Sequence, residues 1–165
     1  MNPRAVRIMV TMMVSLAIFK TAAVVSNADA LPGIEYRACQ TELGWGDWKR
    51  NSETSGDTQS SKKLEAIKVI LTDTTEADVN YKVYVAGKGW SELATNGMVA
   101  GSTEGIQAIK LALTGDLADT YKVVYRVHAV GGDWTGWVKG PEVAGDVSGT
   151  TPSPIVIIDK SGVEI

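Results

Sequence analysis

One cysteine and one histidine are the only sulfur or imidazole metal ligands of the usual kind in this chain. Cys39 alone forms no intrachain disulfide, and the Cys/His spacing of a zinc site is absent. Positive charge is also scarce: 16 Lys and Arg against 19 Asp and Glu leave a formal charge of −3. Nucleic-acid binding normally needs a basic patch, so this balance excludes it as an expectation. General electrostatic adhesion to anionic membranes or wall polymers is disfavoured for the same reason. After residue 31 no apolar run resembles a membrane segment, and no stretch shows sustained helical spacing with caps. Asp57, Asp73, Asp116 and Asp119 lie among turn formers, yet none sits in an EF-hand-like loop. No glycine-rich phosphate loop follows a strand and opens a helix. The expectation is a protein with no cofactor, no metal and no catalytic residue, hence not an enzyme.

What is present is a folded composition. The 165 residues are 44% hydrophobic and 21% charged, which suits one ordinary domain. Arg4 and Arg7 precede an apolar run from Ile8 to Phe19, and Ala28-Asp29-Ala30 offers a small-x-small cleavage site. That is the layout of a secretory signal peptide, here a helix within residues 1–30. Cleavage after Ala30 removes three positive charges and one negative, taking the mature chain from −3 to −5. Lys20 separates the apolar run from the cleavage site, so an uncleaved N-terminal anchor is the alternative. The end at Val163-Glu164-Ile165 is read as having no sorting motif or hydrophobic tail. The expected location is therefore secreted, or non-covalently associated with the cell surface, with no membrane contact after cleavage. Cys39 is read as an inert small hydrophobe.

Internal repetition decides the architecture. Tyr36-Arg37-Ala38-Cys39 returns as Tyr81-Lys82-Val83-Tyr84 and Tyr125-Arg126-Val127-His128, at offsets of 45 and 44 residues. A tryptophan follows each tyrosine at similar distance: Trp45, Trp90 and Trp134. Three residues further stand Trp48, Leu93 and Trp137, and a glycine closes each turn at Gly56, Gly101 and Gly145. Two units also share a strand pattern. Ile67, Val69 and Leu71 alternate on one face, as do Ile109, Leu111 and Leu113, while Lys68 and Lys110 occupy one equivalent place on the other face. The third unit keeps Ile155 to Ile158 after a segment whose two prolines exclude a central strand over 152–154. Asn96-Gly97 reads as a hairpin turn, because both residues tolerate positive φ.

The mature chain is thus expected to be all-β, a single domain over residues 31–165. Its repeats run at about 34–78, 79–121 and 122–165. Three equivalent units suggest closure into a pseudo-threefold β-prism with one antiparallel sheet per unit, which would hide sheet edges; a β-trefoil is the alternative.

These residues resemble the clostridial hydrophobic repeats with a conserved tryptophan (ChW repeats). The resemblance rests on the three tyrosine tetrapeptides, on Gly44-Trp45 and Gly89-Trp90, and on the turns Ala100-Gly101-Ser102 and Ala144-Gly145-Asp146. It also rests on Leu64-Glu65-Ala66-Ile67-Lys68 and Ile106-Gln107-Ala108-Ile109-Lys110, and so covers nearly the whole mature chain. The family's units typically occur in threes on exported proteins of Gram-positive bacteria. The resemblance implies a surface or secreted interaction module, with glycan as a candidate ligand, and implies no activity. Three departures bear on this: Gly132-Asp133 precedes Trp134, Leu93 stands for the second tryptophan, and the last unit lacks the Glu-Ala-Ile strand.

The site expectations follow. Trp45, Trp90 and Trp134, with Tyr36, Tyr81 and Tyr125, are read as the repeat core. Trp48 and Trp137 are read as ligand platforms, since flat amphipathic rings suit sugars and protein partners alike. The outward strand positions Arg37, Lys82, Arg126, Tyr84 and His128 complete the candidate ligand-binding set. With Leu93 in place of tryptophan, the second unit is expected to be the weakest site. His128 stands where Cys39 and Tyr84 stand in the other units, which argues against a general base. No acidic position recurs in all three units to supply a carboxylate pair. The expected function is a monomeric, non-catalytic module that binds a cell-wall, host or plant glycan. The alternative is a surface structural or protein-interaction module without a small ligand.

Overall fold

The computed structural model describes residues 32–148 and the backbone of the strand 155–162. The expected signal peptide and the proline-bearing segment 152–154 lie outside the described residues. What is described is all-β, with one 3-10 turn at Asp116–Ala118 as its only helical element. The first unit comprises β1 (Gly33–Gln40), β2 (Gly44–Trp45), β3 (Lys49–Arg50) and β4 (Leu64–Thr72). The second comprises β5 (Ala77–Val85), β6 (Gly89–Trp90), β7 (Ala94–Thr95), β8 (Ala100–Gly101) and β9 (Ile106–Gly115). The third comprises β10 (Tyr121–His128), β11 (Val138–Lys139), β12 (Ala144–Gly145) and β13 (Ile155–Gly162).

Each unit is built on one long antiparallel pair: β1 with β4, β5 with β9, β10 with β13. Period-two alternation turns one face of every pair inward. Ile34, Tyr36 and Ala38 are buried from the first unit, Tyr81 and Val83 from the second, Tyr125 and Val127 from the third. Ile67, Val69, Leu71, Ile109 and Leu111 meet them from the closing strands, and all these residues form one cluster, with Leu113 packed at its margin. β4 lies against β5, β9 against β10 and β13 against β1. The sheets do not close into a barrel.

The expectation of one sheet per unit needs correction. The Ala-Gly strand of each following unit crosses back to its predecessor: β8 pairs β4, and β12 pairs β9. The reason lies in the turn before it. Asn96 and Gly97 do adopt positive φ, 25° and 78°, but they do not close a hairpin, because β7 stays on β5 while β8 leaves for β4. The Asn96 carboxamide oxygen accepts from the N–H of Val79 in one sheet and of Leu71 in the other, at 3.2 Å each. It therefore stitches two sheets rather than joining two strands of one.

Tyrosine completes the strap. Tyr81 Oη accepts the Val69 N–H of the preceding unit at 3.2 Å and donates to the Met98 carbonyl of its own. Tyr125 Oη does the same with the Leu111 N–H, at 2.9 Å, and the Glu142 carbonyl. Tyr36 donates to the Glu53 carbonyl, again 17 residues onward. A β edge would otherwise carry unpaired N–H groups into the core, where each would destabilise the fold.

Burial pushes the Tyr125 phenol up to about 12, and Tyr81 is raised by the same main cause. The fold holds the neutral phenol, so its folded pKa lies above the unfolded value near 10. This contribution to stability is whole below that pH and is lost as pH rises toward 12. Alkaline titration is expected to show phenolate absorbance of these residues appearing together with loss of the β circular-dichroism signal. Ionisation of every tyrosine near pH 10, with the β signal intact, would contradict this.

Candidate functional site

The outward face of each long pair carries the aromatic and cationic residues, and backbone register explains how. Cys39 is paired with Trp45, Tyr84 with Trp90, and His128 with Trp134. Residues directly opposed in an antiparallel pair point to the same face. Cys39, Tyr84 and His128 alternate outward, so the three tryptophans do too. The reading of Trp45, Trp90 and Trp134 as core residues is therefore corrected. Trp45 is 38% exposed, while Trp90 and Trp134 are half-buried on the outer face. The three tyrosines do lie in the core.

On the first unit the Arg37 guanidinium carbon lies 5.0 Å from the Trp45 ring centre and 4.8 Å from that of Trp48. The Lys68 ammonium reaches Trp45 at 5.6 Å. The third unit repeats the sandwich, with Arg126 at 4.5 Å from Trp134 and 4.7 Å from Trp137. His128 meets Trp134 edge to face, with centroids 5.0 Å apart. The second unit differs. Tyr84 meets Trp90 edge to face at 5.5 Å, and the cation over Trp90 is Lys110, at 4.4 Å, from the closing strand.

Arginine and the second tryptophan thus occur together. Where both rings are present, the residue between them is Arg37 or Arg126, whose flat guanidinium stacks on two faces at once. Where the second ring is Leu93, the equivalent residue is Lys82. Each contact contributes roughly 0.5–1 kcal/mol at an exposed site and more when desolvated. Nε of Arg37 and of Arg126 is buried without a hydrogen-bond partner among the described residues, as is Nδ1 of His128.

Two cavities lie on the first and second units. One of about 240 Å³ lies beside β2 in the first unit, with Gln40, Gly46, Asp47, Lys49 and Ser55 in its wall. Gly46 opens it: the equivalent Ser91 and Thr135 place their hydroxyls on the N–H of Val83 and Val127, at 3.2 and 3.1 Å. The other, about 130 Å³ and almost entirely apolar, lies on the second unit around Leu93. Among the described residues no three His, Cys, Asp or Glu side chains gather as a metal would require. Burial, reinforced by Glu65, raises the Cys39 thiol, so it stays protonated and is a poor nucleophile at neutral pH.

Residues 42–73 match the family model described as Clostridial hydrophobic W. That stretch of the first unit is similar to a clostridial hydrophobic W repeat. The matched segment holds Trp45, Trp48 and Lys68, so it contains the aromatic part of the first stack, while Arg37 enters from β1 before it. No curated protein and no solved structure matches the chain.

Set against this geometry, the expected ligand residues divide. Trp48 and Trp137 are exposed, at 42% and 47%. Arg37 and Arg126 are held between rings, and Tyr84 and His128 buttress Trp90 and Trp134. Lys82 makes no ion pair among the described residues. Lys68 and Lys110 were missing from the expected set. Their shared repeat position was the signal that pointed to them.

Proposed function

We propose that this protein is a non-catalytic, monomeric carbohydrate-binding module of a Gram-positive bacterium, secreted or held non-covalently at the cell surface. Its partner is a glycan of cell wall, host or plant, and neither nucleic acid nor membrane is bound by the mature chain. The observation that carries this reading is the exposure of Trp48 and Trp137, each with one face stacked on arginine. A ring held flat from behind offers its outer side to the C–H face of a sugar at little conformational cost. The alternation of neighbours from unit to unit supports a pseudo-threefold β-prism as the frame that spaces these platforms.

Titration of the full chain with a panel of wall and plant glycans, followed by tryptophan fluorescence, tests the reading. A saturable shift with one glycan is expected, lost in Trp48→Ala or Trp137→Ala while the far-ultraviolet spectrum stays unchanged. Silence across the panel would sink it. The second reading, a protein-interaction surface, draws on Met98 and Val99, both 55% exposed, and predicts a partner whose binding is weakened by Val99→Asp.

A further inference from the structure

At the 240 Å³ cavity of the first unit, five repeat positions change character together. Where the other units have Val83 and Val127, the wall here has Ala38; where they have Ser91 and Thr135, it has Gly46. Gln40 replaces Val85 and Ala129, and Ser55 replaces Ala100 and Ala144. Lys49 stands opposite Tyr36, where Ala94 and Val138 stand opposite Tyr81 and Tyr125. Every exchange makes the wall smaller or more polar.

Gly46 leaves a backbone donor behind. The Ala38 carbonyl accepts the Gly46 N–H at 2.9 Å, and the N–H of a strand residue points to the same side as its carbonyl. In the other units the Ser91 and Thr135 hydroxyls accept from the equivalent N–H. Gly46 has no side chain to do so, and the Ala38 N–H has no acceptor on that side among the described residues. Ser55 is 2% exposed, and its hydroxyl makes no hydrogen bond among the described residues. Gln40, 5% exposed, is fixed by the Lys62 carbonyl at 3.3 Å and the Asp57 N–H at 3.1 Å. Unpaired buried donors destabilise a fold, and such local conflicts collect at functional sites.

The lining also sets the class of ligand. Asp47 and Lys49 bring opposite charges to the wall, and neither forms an ion pair among the described residues. The site therefore favours no net charge. It calls for acceptors toward the Ala38 N–H and Lys49, a donor toward Asp47, and groups that do both toward Ser55 and Gln40. Hydroxyls donate and accept alike. The volume lies below the roughly 300 Å³ at which drug-sized pockets begin, so it admits one ring. Ala38 and Gln40 belong to the inward series of β1, whereas the tryptophan stacks lie outward.

Resting on the glycan-binding reading, we propose that this cavity binds a single neutral pyranose at a site separate from the tryptophan platforms. The Ala38 N–H, Ser55 and Gln40 hold its hydroxyls within, and Asp47 and Lys49 complete the wall.

Proton–nitrogen NMR of the full chain, titrated with the methyl glycosides of glucose, galactose, mannose and N-acetylglucosamine, tests the proposal. One of them is expected to move the Ala38 amide proton downfield and to saturate, with a dissociation constant on the order of millimolar. Gly46→Ser supplies the hydroxyl of the other units. Its Cβ would stand 3.7 Å from the Ala38 carbonyl oxygen, an ordinary contact, so the chain accommodates it. This variant should abolish the response and raise the urea midpoint. Ser55→Ala, the residue of both other units, should weaken binding about fivefold, the effect of one lost hydrogen bond. An Ala38 amide unmoved by all four glycosides, or a response that survives Gly46→Ser, overturns the assignment and leaves a water-filled pocket. If glycans still shift the tryptophan fluorescence through Trp48 and Trp137, the wider carbohydrate reading survives that result. Silence of both signals toward every glycan overturns both.

Discussion

Tyr125→Phe is expected to lower the unfolding free energy by about 2–4 kcal/mol, a large loss for removal of one oxygen atom. The ring itself fits unchanged in the core. What disappears is an oxygen that serves the Leu111 N–H of the second unit and the Glu142 carbonyl of the third at once. The Leu111 N–H is buried, and leaving it without a partner costs about 1–3 kcal/mol; the part-buried bond to the Glu142 carbonyl adds about 1 kcal/mol. Tyr81→Phe should behave alike, since it strips the Val69 N–H and the Met98 carbonyl together. Urea denaturation checks both. A loss under about 1 kcal/mol would mean that the hydroxyls fill space rather than join units. The same substitution should also blunt the alkaline transition, because the group whose ionisation drives it is gone.

The second large effect comes from adding a single carbon. Gly145 has φ of 108°, and a Cβ there would stand 2.3 Å from the Gln107 carbonyl oxygen and 2.7 Å from the Ala108 Cα. Gly101 repeats the approach, with φ of 147° and a Cβ at 2.1 Å from the Glu65 carbonyl oxygen and 2.5 Å from the Ala66 Cα. Those obstacles are backbone atoms of the preceding unit, so no side chain can swing aside. Backbone strain of about 1–3 kcal/mol adds to the displaced strand pairing, and Gly145→Ala or Gly101→Ala should cost about 3–5 kcal/mol. Gly87→Ala is the control: its φ is 70°, but nothing lies within 4 Å of the added carbon. It should cost only about 1–2 kcal/mol. If all three variants unfold at similar urea concentration, the close approach of the units is not what the glycine serves.

These two sets of residues mark how far the sequence could be read. The tyrosines and glycines stand out by period alone, and alternation assigns Tyr36, Tyr81 and Tyr125 to the inner face directly. The tryptophans stand out equally, yet period does not say which way they point. That depends on register across a short turn: Trp45 opposite Cys39 faces outward with it, and one residue of slippage would reverse the answer. Large apolar side chains carry a strong expectation of burial, and here paired cations overrule it by covering the rings. The exchange of sheets by β8 and β12 was not legible either. Asn-Gly between two extended segments reads the same whether the second segment folds back or departs. Only the Asn96 carboxamide, bonded into both sheets, decides between them. At the site, Lys68 and Lys110 were visible as a recurring pair, but their proximity to rings depends on cross-strand neighbours that one strand's pattern does not contain.

The backward loan of β8 and β12 gives the molecule a direction. A ribosome delivers the first unit before the second, so the closing strands of the first two units wait, bare along one edge, for residues that emerge about 35 positions later. A chain halted after Gly115 would lack β12 and Tyr125, and its last strand would present Ala108, Ile109 and Leu111 to any strand it met. Such a fragment is primed to borrow the missing strap from a sister chain, so premature truncation should yield exchanged oligomers rather than a smaller monomer.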